Sequence, residues 1–289
     1  MKAGAFGYAR AAMLPDALAL LQQHGEDARL LAGGQSLLPA LNLRLSVPAL
    51  LIDIGRLAEL RGVDLADGVV RIGALTTHAE LLASPLVQAH APLLTRAVVH
   101  VAHPAIRSRG TIGGSLANAD PAAELPACAL ALGARLIVQS ARGERVLPAD
   151  TFFTGLFATA LAPDEILIRI DIPVAAPDAR FGFAELARRH GDYAIVGLAA
   201  AGTWRGDRLG ALRFAFLSAG PCPTLAPRAA AALIERPLSA DALREAEAAL
   251  AADLTPHSDL QASAATRLSL ARVLLRRVIA ELSAPSGPT

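Results

Sequence analysis

Two pairs of adjacent glycines in this chain are set among small hydroxyl and amide residues. One lies in RLLAGGQSLLP (29–39) and the other in RGTIGGSLANADPAAELP (109–126). Glycine lets main-chain amides approach a ligand closely and adopt positive φ values, and several amides turned into one concavity form a receptor for phosphate. An apolar stretch precedes each pair, so we expect two turns of the form strand–Gly–Gly–polar. Two such turns facing each other would suit a diphosphate.

The residues beside each pair add side-chain donors. Gln35 and Ser36 follow the first pair, and Thr111 and Ser115 flank the second. Neither segment is a familiar nucleotide loop, because the chain has no GKS or GKT for a P-loop and the first pair is not part of a GxGxxG fingerprint. Residue chemistry alone leaves two interpretations open: a pair of tight structural turns, or a diphosphate site.

Composition excludes several classes of function. The chain has 289 residues, of which 53% are hydrophobic and 18% charged, so we expect two or three compact units rather than disorder. Its net charge of +1 provides no general field for nucleic acid or an anionic membrane. Lys2 is the only lysine, which effectively excludes a lysine nucleophile, and any fixed positive charge must come from arginine.

Cysteine usage and hydropathy indicate the setting. Cys128 and Cys222 are the only cysteines, and no CxxC or Cys/His cluster occurs, which rules out an iron–sulfur centre built on four cysteines of this chain. We expect a reduced, cytoplasmic environment. The N-terminus lacks the apolar core of a signal peptide, and no apolar run reaches about 18 residues, so we expect no membrane insertion.

The elements that would position the glycine pairs follow from the hydrophobic patterns. PDALALLQQHG (15–25) begins with proline and ends with glycine, which predicts a capped helix. A short strand in DARLLAGG should lead into the first pair. Further strands are predicted in ALLIDIG, VVRIGAL and EILIRIDIP, a hairpin in ARLIVQS and RGERVL, and helices in HAELLAS, PLLTRAVVHVA and AELPACALALG.

A proline-containing polar stretch, VAAPDAR (174–180), predicts a domain boundary. Beyond it we expect strands in FGFAELARRH, YAIVGLAAAGTW and LGALRFAFLS, then three helical stretches, and a frayed tail, SAPSGPT (283–289). The predicted organisation is a first lobe over residues 1–55, a second over 56–175 and a smaller C-terminal domain over 176–289.

Three segments in this order resemble the FAD-binding medium subunit of the molybdenum hydroxylases. They are AGGQSLLPALNLRL (32–45), RGTIGGSLANADPAAELP and ARRHGDYAIVG (187–197). The group includes carbon monoxide, xanthine, nicotinate and caffeine dehydrogenase-type enzymes. The resemblance covers essentially the whole chain, and although each glycine pair is weak alone, the three motifs together are highly specific.

The resemblance implies an α+β fold: a two-lobed FAD-binding domain of the vanillyl-alcohol oxidase/MurB-like type, followed by a small C-terminal α+β domain. FAD would lie between the lobes, with its diphosphate on both glycine turns. The implied function is electron transfer in a heterotrimeric molybdenum hydroxylase, from 2Fe-2S clusters in a small partner subunit to an external acceptor. Molybdopterin would belong to a large partner subunit, and the assembly would be a dimer of heterotrimers. Because the flavin itself performs the redox chemistry, no catalytic side chain and no metal ligand is expected in this chain.

Carried over by position, the resemblance also implies individual FAD contacts. Glu124 matches an acidic residue that reaches hydroxyls at the adenosine end, and Leu161 matches an apolar residue near the flavin or adenine. Val101 lies where relatives line the ring pocket, and Tyr193 matches an aromatic residue that some members place against the isoalloxazine. The two turns comprise Leu31, Ala32, Gly33, Gly34, Gln35 and Ser36, and Thr111, Ile112, Gly113, Gly114 and Ser115.

Two positions depart from the family pattern. Ala102 stands where relatives often have glycine, which would alter that turn slightly. Glu185 lies at or near a position where relatives often carry lysine. Flavin reduction places negative charge near N1 and C2=O, where a positive group helps. Unless Arg188 or Arg189 substitutes, we therefore expect a flavin potential different from that of such relatives.

Simpler interpretations compete at several of these residues. Tyr193 could be a core residue on a strand, and Asp120 is expected to cap a helix at 122–132. His100 and His103 have a spacing that metal ligands can use, but no acidic or thiol ligand nearby in the sequence completes a site.

Two rival functions remain open. A self-contained flavoprotein of the same fold would need a proton donor over the ring, for which Tyr193 and Ser218 are the candidates. A non-enzymatic module would use its glycine turns only structurally.

Overall fold

The computed structural model of the chain describes residues 2–206 and 208–283. Apart from Ser283, the tail for which fraying is predicted lies outside these ranges. The strands are β1 Gly7–Arg10, β2 Ala28–Leu31, β3 Leu50–Asp53, β4 Val63–Ala66, β5 Val69–Gly73, β6 Arg135–Ser140, β7 Gly143–Pro148, β8 Phe153–Gly155, β9 Ala158–Thr159, β10 Ile166–Pro173, β11 Ala179–Leu186, β12 Val196–Arg205, β13 Arg208–Leu217 and β14 Thr224–Leu225.

The helices are α1 Leu14–His24, α2 Leu37–Asn42, α3 His78–Ala83, α4 Pro85–His90, α5 Pro92–Val98, α6 Pro104–Arg107, α7 Ile112–Asn118, α8 Glu124–Ala131, α9 Ala149–Phe152, α10 Pro227–Ala231, α11 Ala240–Asp253 and α12 Ala264–Ser283. None of the helices within the described ranges is long and apolar enough to cross a membrane. The mixture of helices and strands predicted from the patterns is confirmed.

The first sheet is parallel, in the order β1-β3-β2, and α1 packs against it. Leu14, Ala17, Leu18 and Leu21 of α1 are buried, which is the spacing of one helical face. The helix ends at Gly25, whose φ of +52° is readily adopted by glycine. The helix predicted at 15–25 is confirmed, and so is the short strand before the first glycine pair.

The second sheet is antiparallel, in the order β4-β5-β10-β6-β7, and includes the predicted β6–β7 hairpin. A β-bulge between Leu167 and Arg169 interrupts the register of β10 with β6. Because one extra residue shifts the alternation of side chains, Ile166 and Ile168 pack toward α1, whereas Ile170 and Ile172 pack on the opposite face. The sheet thereby contributes to two cores, one with the first lobe and one with helices α3 to α8.

The third sheet is antiparallel, in the order β11-β12-β13-β14. One face of β12 and β13, including Ala199 and Leu217, joins the core beneath α8, and the other, including Leu198 and Phe216, is covered by α10, α11 and α12. The strand predicted in YAIVGLAAAGTW begins only at Val196, so its first residues form a loop.

Two arginines on α12, Arg272 and Arg276, bind within the chain. Arg276 forms an ion pair with Glu247 of α11, and Arg272 donates to the carbonyl of the same residue. These contacts fasten α12 to α11.

Phe152, fully buried where α9 meets β8, provides a test of the main core. Replacing it by alanine should lower the free energy of unfolding by about 3–5 kcal/mol, because the lost aromatic contacts leave a cavity. Phe152→Leu retains most of the volume and should cost less. Urea unfolding of both variants measures the difference, and equal stabilities for Phe152→Ala and the wild type would contradict the assignment of the core.

Candidate functional site

The first glycine pair forms the predicted turn after a strand. Strand β2 ends at Leu31, the turn follows, and α2 begins at Leu37. Gly34 has a φ of +75°, and the Gln35 side chain donates to the carbonyl oxygen of Gly33 at 3.0 Å. The turn is thus built from a conformation that glycine adopts at little cost.

Four consecutive main-chain amides in this turn have no hydrogen-bond acceptor within residues 2–206 and 208–283. They belong to Gly33, Gly34, Gln35 and Ser36. Unpaired N–H groups gathered in a turn attract an anion. The first glycine pair therefore has the donors that a phosphate needs.

The second glycine pair is not the strand-following turn predicted from the sequence. Gly113 and Gly114 lie in the first turn of α7, and Thr111 caps that helix by accepting from the Gly114 amide at 3.1 Å. The prediction of a turn at this position is wrong, because a threonine three residues before an amide can accept from it and start a helix.

The amides around the second pair are also occupied by the protein. Ile112 N–H donates to the Thr76 carbonyl at 3.0 Å and Gly113 N–H to the Ala74 carbonyl at 2.8 Å, while Ser115 N–H donates to the Thr111 carbonyl. A Cβ on Gly113 would lie 2.5 Å from that of Ala74. Glycine is needed here for close packing rather than for amide donation, and the side-chain donors of this segment are the hydroxyls of Thr111 and Ser115.

The two glycine segments are in direct contact. A Cβ on Gly33 would lie 2.1 Å from the carbonyl oxygen of Arg109 and 2.9 Å from the Cα of Gly110. A Cβ on Gly114 would approach that of Ala32 at 3.9 Å. The structure thus brings together two segments that lie far apart in the sequence.

A buried histidine that sequence reasoning missed lies behind this contact. His78 is the first residue of α3, its amide donates to the Gly110 carbonyl, and its ring lies 3.1 Å from where a Cβ on Gly110 would be. Neither ring nitrogen has a partner among the described residues. Burial lowers the pKa of His78 from 6.5 to about 4. The pattern of the segment HAELLAS predicted only a helix, and nothing in it indicates that His78 contacts Gly110.

The segment with Val101 and the segment with Tyr193 also meet. Arg107 donates to the carbonyls of Val101 and Ala102 at 2.9 and 3.1 Å and fixes the loop after α5. A Cβ on Gly191 would lie 2.7 Å from the ring of His103. The two residues expected near a flavin ring therefore belong to touching loops.

The departure at Ala102 has a backbone explanation. Its φ is +42°, in the left-handed region that favours glycine. Glycine adopts this conformation at little cost. In this chain the hydrogen bond from Arg107 to the Ala102 carbonyl holds alanine in it.

Tyr193 lies in the loop between β11 and β12, and 63% of its surface is exposed. The alternative that it is a core residue on a strand is wrong. Leu161 lies in the loop between β9 and β10, partly buried against the main core. Neither residue is an integral part of a core strand.

Two acidic side chains, Glu124 of α8 and Glu185 of β11, interact electrostatically with each other and with His100. Glu124, the first residue of α8, is 8% exposed, and burial, followed by the charge of Glu185, raises its pKa from 4.5 to about 8. Glu185 pairs with His100, with 3.4 Å between Oε1 and Nδ1, and this carboxylate raises the pKa of His100. Oε2 of Glu185 is buried without a partner in the described part of the chain.

Sequence reasoning found no acidic neighbour for His100, because Glu185 reaches it only through the packing of β11 against α5. Arg188, considered as a cation near the flavin, instead donates to the Leu260 carbonyl. No group of three or more potential metal ligands occurs within residues 2–206 and 208–283.

Asp120 does not cap α8. Its carboxylate accepts from the Ala122 amide at 2.9 Å, and the helix begins two residues later, after Ala123, which makes no side-chain cap. The prediction of a helix cap is wrong because the Pro121 segment forms a separate turn before the helix.

Ser218, a candidate proton donor for a self-contained enzyme, is buried and donates its hydroxyl to the Ala194 carbonyl at 2.8 Å. That hydroxyl proton is already donated to a backbone carbonyl. No observation therefore favours Ser218 as an acid over a flavin ring.

The comparisons with known proteins agree with this geometry. Residues 4–175 match the family described as the FAD binding domain in molybdopterin dehydrogenase, and residues 181–282 match the CO dehydrogenase flavoprotein C-terminal domain. The chain belongs to the FAD-binding flavoprotein subunits of the molybdopterin dehydrogenases. Its predicted fold class, its cofactor FAD and its place among the oxidoreductases are confirmed.

Individual relatives resemble it along their whole length. The nicotine 6-hydroxylase medium subunit of Paenarthrobacter nicotinovorans is 40% identical, covering 98% of this chain and 99% of that protein. The 6-hydroxypseudooxynicotine dehydrogenase complex subunit alpha of the same organism is 38% identical, covering 100% and 98%. A solved carbon monoxide dehydrogenase from Hydrogenophaga pseudoflava superimposes with a TM-score of 0.96 at 36% identity, covering 98% of each chain.

Gly33→Ala tests the contact between the glycine segments. Its Cβ would overlap the Arg109 carbonyl, so the first turn must move away from the second segment and its amides must turn with it. We expect FAD affinity to fall at least about tenfold, equivalent to about 1.4 kcal/mol, as measured by flavin fluorescence titration. Gly155→Ala is the matched control, because its Cβ would find its nearest neighbour at 4.0 Å. Unchanged affinity in Gly33→Ala would contradict the role of this contact.

Glu124→Gln tests the buried acid through the pH dependence of stability. An acid with a raised folded pKa stabilises the fold fully below its unfolded pKa, near 4.5, and that contribution is lost as the pH rises through about 8. The unfolding free energy of the FAD-free wild type, minus that of the variant, should therefore fall by roughly 2–4 kcal/mol from pH 5 to pH 8, at about 1.4 kcal/mol per pKa unit. Denaturant titrations at several pH values measure it. A difference that stays constant with pH would show that Glu124 is not buried as described.

Proposed function

We propose that this chain is the electron-transfer subunit of a heterotrimeric molybdenum hydroxylase. The observation that carries the proposal is the row of four unpaired main-chain amides from Gly33 to Ser36. This turn is in direct contact with the segment 109–115. Such a row suits one end of a diphosphate, and the hydroxyls of Thr111 and Ser115 suit the other. FAD bound there would accept electrons from a partner and deliver them, one or two at a time, to an external acceptor.

The proposed contacts divide the site by chemistry. The amides of the first turn hold the diphosphate, with Leu31 and Ala32 lining its approach, while Ile112, Gly113 and Gly114 permit the close packing that brings the hydroxyls near. Glu124 faces the adenosine end. Since its raised pKa keeps the carboxyl protonated near neutral pH, it can donate a hydrogen bond to a ribose hydroxyl as well as accept one. Leu161 offers an apolar contact near the flavin or adenine, and Val101 and Tyr193 border the isoalloxazine.

The metal centres of the proposed assembly belong to other chains. Cys128 and Cys222 are both free and distant in sequence, too few to ligate an iron–sulfur cluster. A small 2Fe-2S subunit and a large molybdopterin subunit would supply these centres, with the substrate oxidised in the large subunit and the whole assembled as a dimer of heterotrimers. A cytoplasmic location is part of the proposal.

The proposed division of the chain is a first lobe over residues 1–55, a second over 56–175 and a C-terminal domain over 176–289. Support comes from the sheets, because each of the three larger sheets draws its strands from only one of these ranges. The shared cores between neighbouring sheets indicate that the three parts pack as one body.

Reconstitution with the proposed partners tests the function. The chain is co-expressed with the small 2Fe-2S and large molybdopterin subunits expected from neighbouring reading frames, and the complex is purified through a tag on this chain. Compounds oxidised by the relatives serve as a substrate panel. We expect a complex that contains flavin, iron–sulfur and molybdenum, and that reduces an external acceptor in steady state.

The Gly33→Ala complex is the informative control. Substrate should still bleach its iron–sulfur absorbance in a single turnover. Steady-state reduction of the acceptor, measured without added FAD, should fall in proportion to the FAD that the variant has lost, because electrons leave the complex through the flavin. A chain that turns over substrate with its own FAD, without any iron–sulfur partner, would overturn the proposal in favour of a self-contained oxidoreductase.

A further inference from the structure

Tyr193 is exposed, and its hydroxyl has no hydrogen-bond partner in the part of the chain that the structure describes. No hydrogen bond of its own therefore fixes the side chain. The direction in which the ring points depends on the backbone of its loop, so the contacts of the neighbouring residues matter.

The two residues after Tyr193 are held by three hydrogen bonds. The Ser218 hydroxyl donates to the Ala194 carbonyl at 2.8 Å, and the Ile195 amide donates to the Leu186 carbonyl at 2.7 Å. The Ile195 carbonyl accepts from Nη1 of Arg267. Only the last of these involves a charged side chain, and charge-assisted hydrogen bonds are the stronger kind.

Arg267 belongs to the first turn of α12 and is only 2% exposed. Besides Ile195, it reaches the Ser218 carbonyl at 3.4 Å, and its Nη2 donates to Oδ2 of Asp259 at 2.6 Å. Burying a guanidinium is costly unless it is paired and hydrogen-bonded. An apolar residue at this position would fill the core without that cost. We therefore attribute the buried arginine to the hydrogen bonds that it makes.

Ser218 is the second member of this arrangement. It has a φ of +57°, a conformation that costs a serine on the order of 1 kcal/mol. Hydrogen bonds from its amide to the Pro121 carbonyl, from its hydroxyl to Ala194 and from Arg267 to its carbonyl hold it there. Strain that several contacts maintain together is typical of residues that position a site.

The part of the loop that precedes Tyr193 is held by a second set of contacts. Arg188 donates to the Leu260 carbonyl at 3.3 Å, one residue from the Asp259 that pairs with Arg267, and Gly191 packs against His103. The segment 259–260 thus contacts the loop before Tyr193 directly and, through Arg267, the loop after it.

We propose that Arg267 is a positioning residue that aims Tyr193 at the flavin ring. Its planar fork of donors reaches acceptors on different segments at once, which a lysine or a neutral side chain cannot reproduce fully. The proposal rests on the proposed function only in taking the flavin as the target of Tyr193. The positioning itself is a property of the FAD-free chain and is measurable there.

The chain has only two tyrosines, Tyr8 and Tyr193, so fluorotyrosine labelling of the full-length chain should give one 19F resonance for each. Tyr8 lies in the first lobe, where it donates to Asp53, and serves as an internal reference. Arg267→Met should shift or split the Tyr193 resonance in the FAD-free protein and leave that of Tyr8 unchanged. Arg267→Lys, which retains a donor and the charge, should restore most of the wild-type spectrum.

Arg276→Met is the matched control, since it removes an ion pair from the same helix, with Glu247, that has no contact with the Tyr193 loop. Its Tyr193 resonance should match the wild type. Ser218→Ala removes one hydrogen bond and no charge, and should move the Tyr193 resonance less than Arg267→Met does. A wild-type Tyr193 resonance in Arg267→Met would overturn the proposal.

Adding FAD separates this proposal from the assignment of the cofactor contact. In the wild type, FAD should shift the Tyr193 resonance, and in Arg267→Met that shift should be at least halved while FAD still binds stoichiometrically. If FAD shifts neither resonance in the wild type although Arg267→Met disturbs Tyr193, the flavin contact is wrong and the positioning stands.

Discussion

The contact of Gly33 with the main chain of Arg109 and Gly110 is the constraint on which the rest of the site depends. Because no Cβ fits between these segments, the first turn can lie directly on the second, and only glycine permits it. The two glycine pairs consequently have different tasks. The first keeps its amides unpaired, whereas the second donates its amides to Ala74 and Thr111 and brings the segment into place. Neither glycine pair alone provides both the free amide donors and the packing that holds them in place.

Loops of the C-terminal sheet contact the segments of the candidate site. Gly191 meets the loop that follows α5, and the amide of Ser218 bonds to Pro121, just before the helix that begins with Glu124. Residues of this sheet thereby adjoin both ends expected of the cofactor. The shared core beneath α8 holds the same two parts together, so a change in the C-terminal region reaches the site through packing as well as through hydrogen bonds.

Packing also determines which charged side chains lie near the site. A chain with one lysine has little freedom in placing cations, and the arginines of the described residues are largely bound to carboxylates or carbonyls. His100 pairs with Glu185, and burial, followed by the charge of Glu185, raises the pKa of Glu124. Glu185 is thus one member of an acid–imidazole cluster, and Arg188 donates instead to the Leu260 carbonyl.

The sequence by itself determined α1, the β6–β7 hairpin and the longer strands, and its resemblance to a known family indicated the cofactor. Periodicity predicted α1 and the β6–β7 hairpin because those elements bury a regular face, and the three motifs were specific because their order spans the chain. Tertiary structure alone decided which glycine pair has free amides, that Asp120 does not cap α8, and that Tyr193 is exposed. Each of these depends on partners distant in sequence, such as Ala74 for Gly113 or Arg267 for Ile195. Local propensity acts within a few residues, whereas an amide is free or occupied according to which strand packs against it.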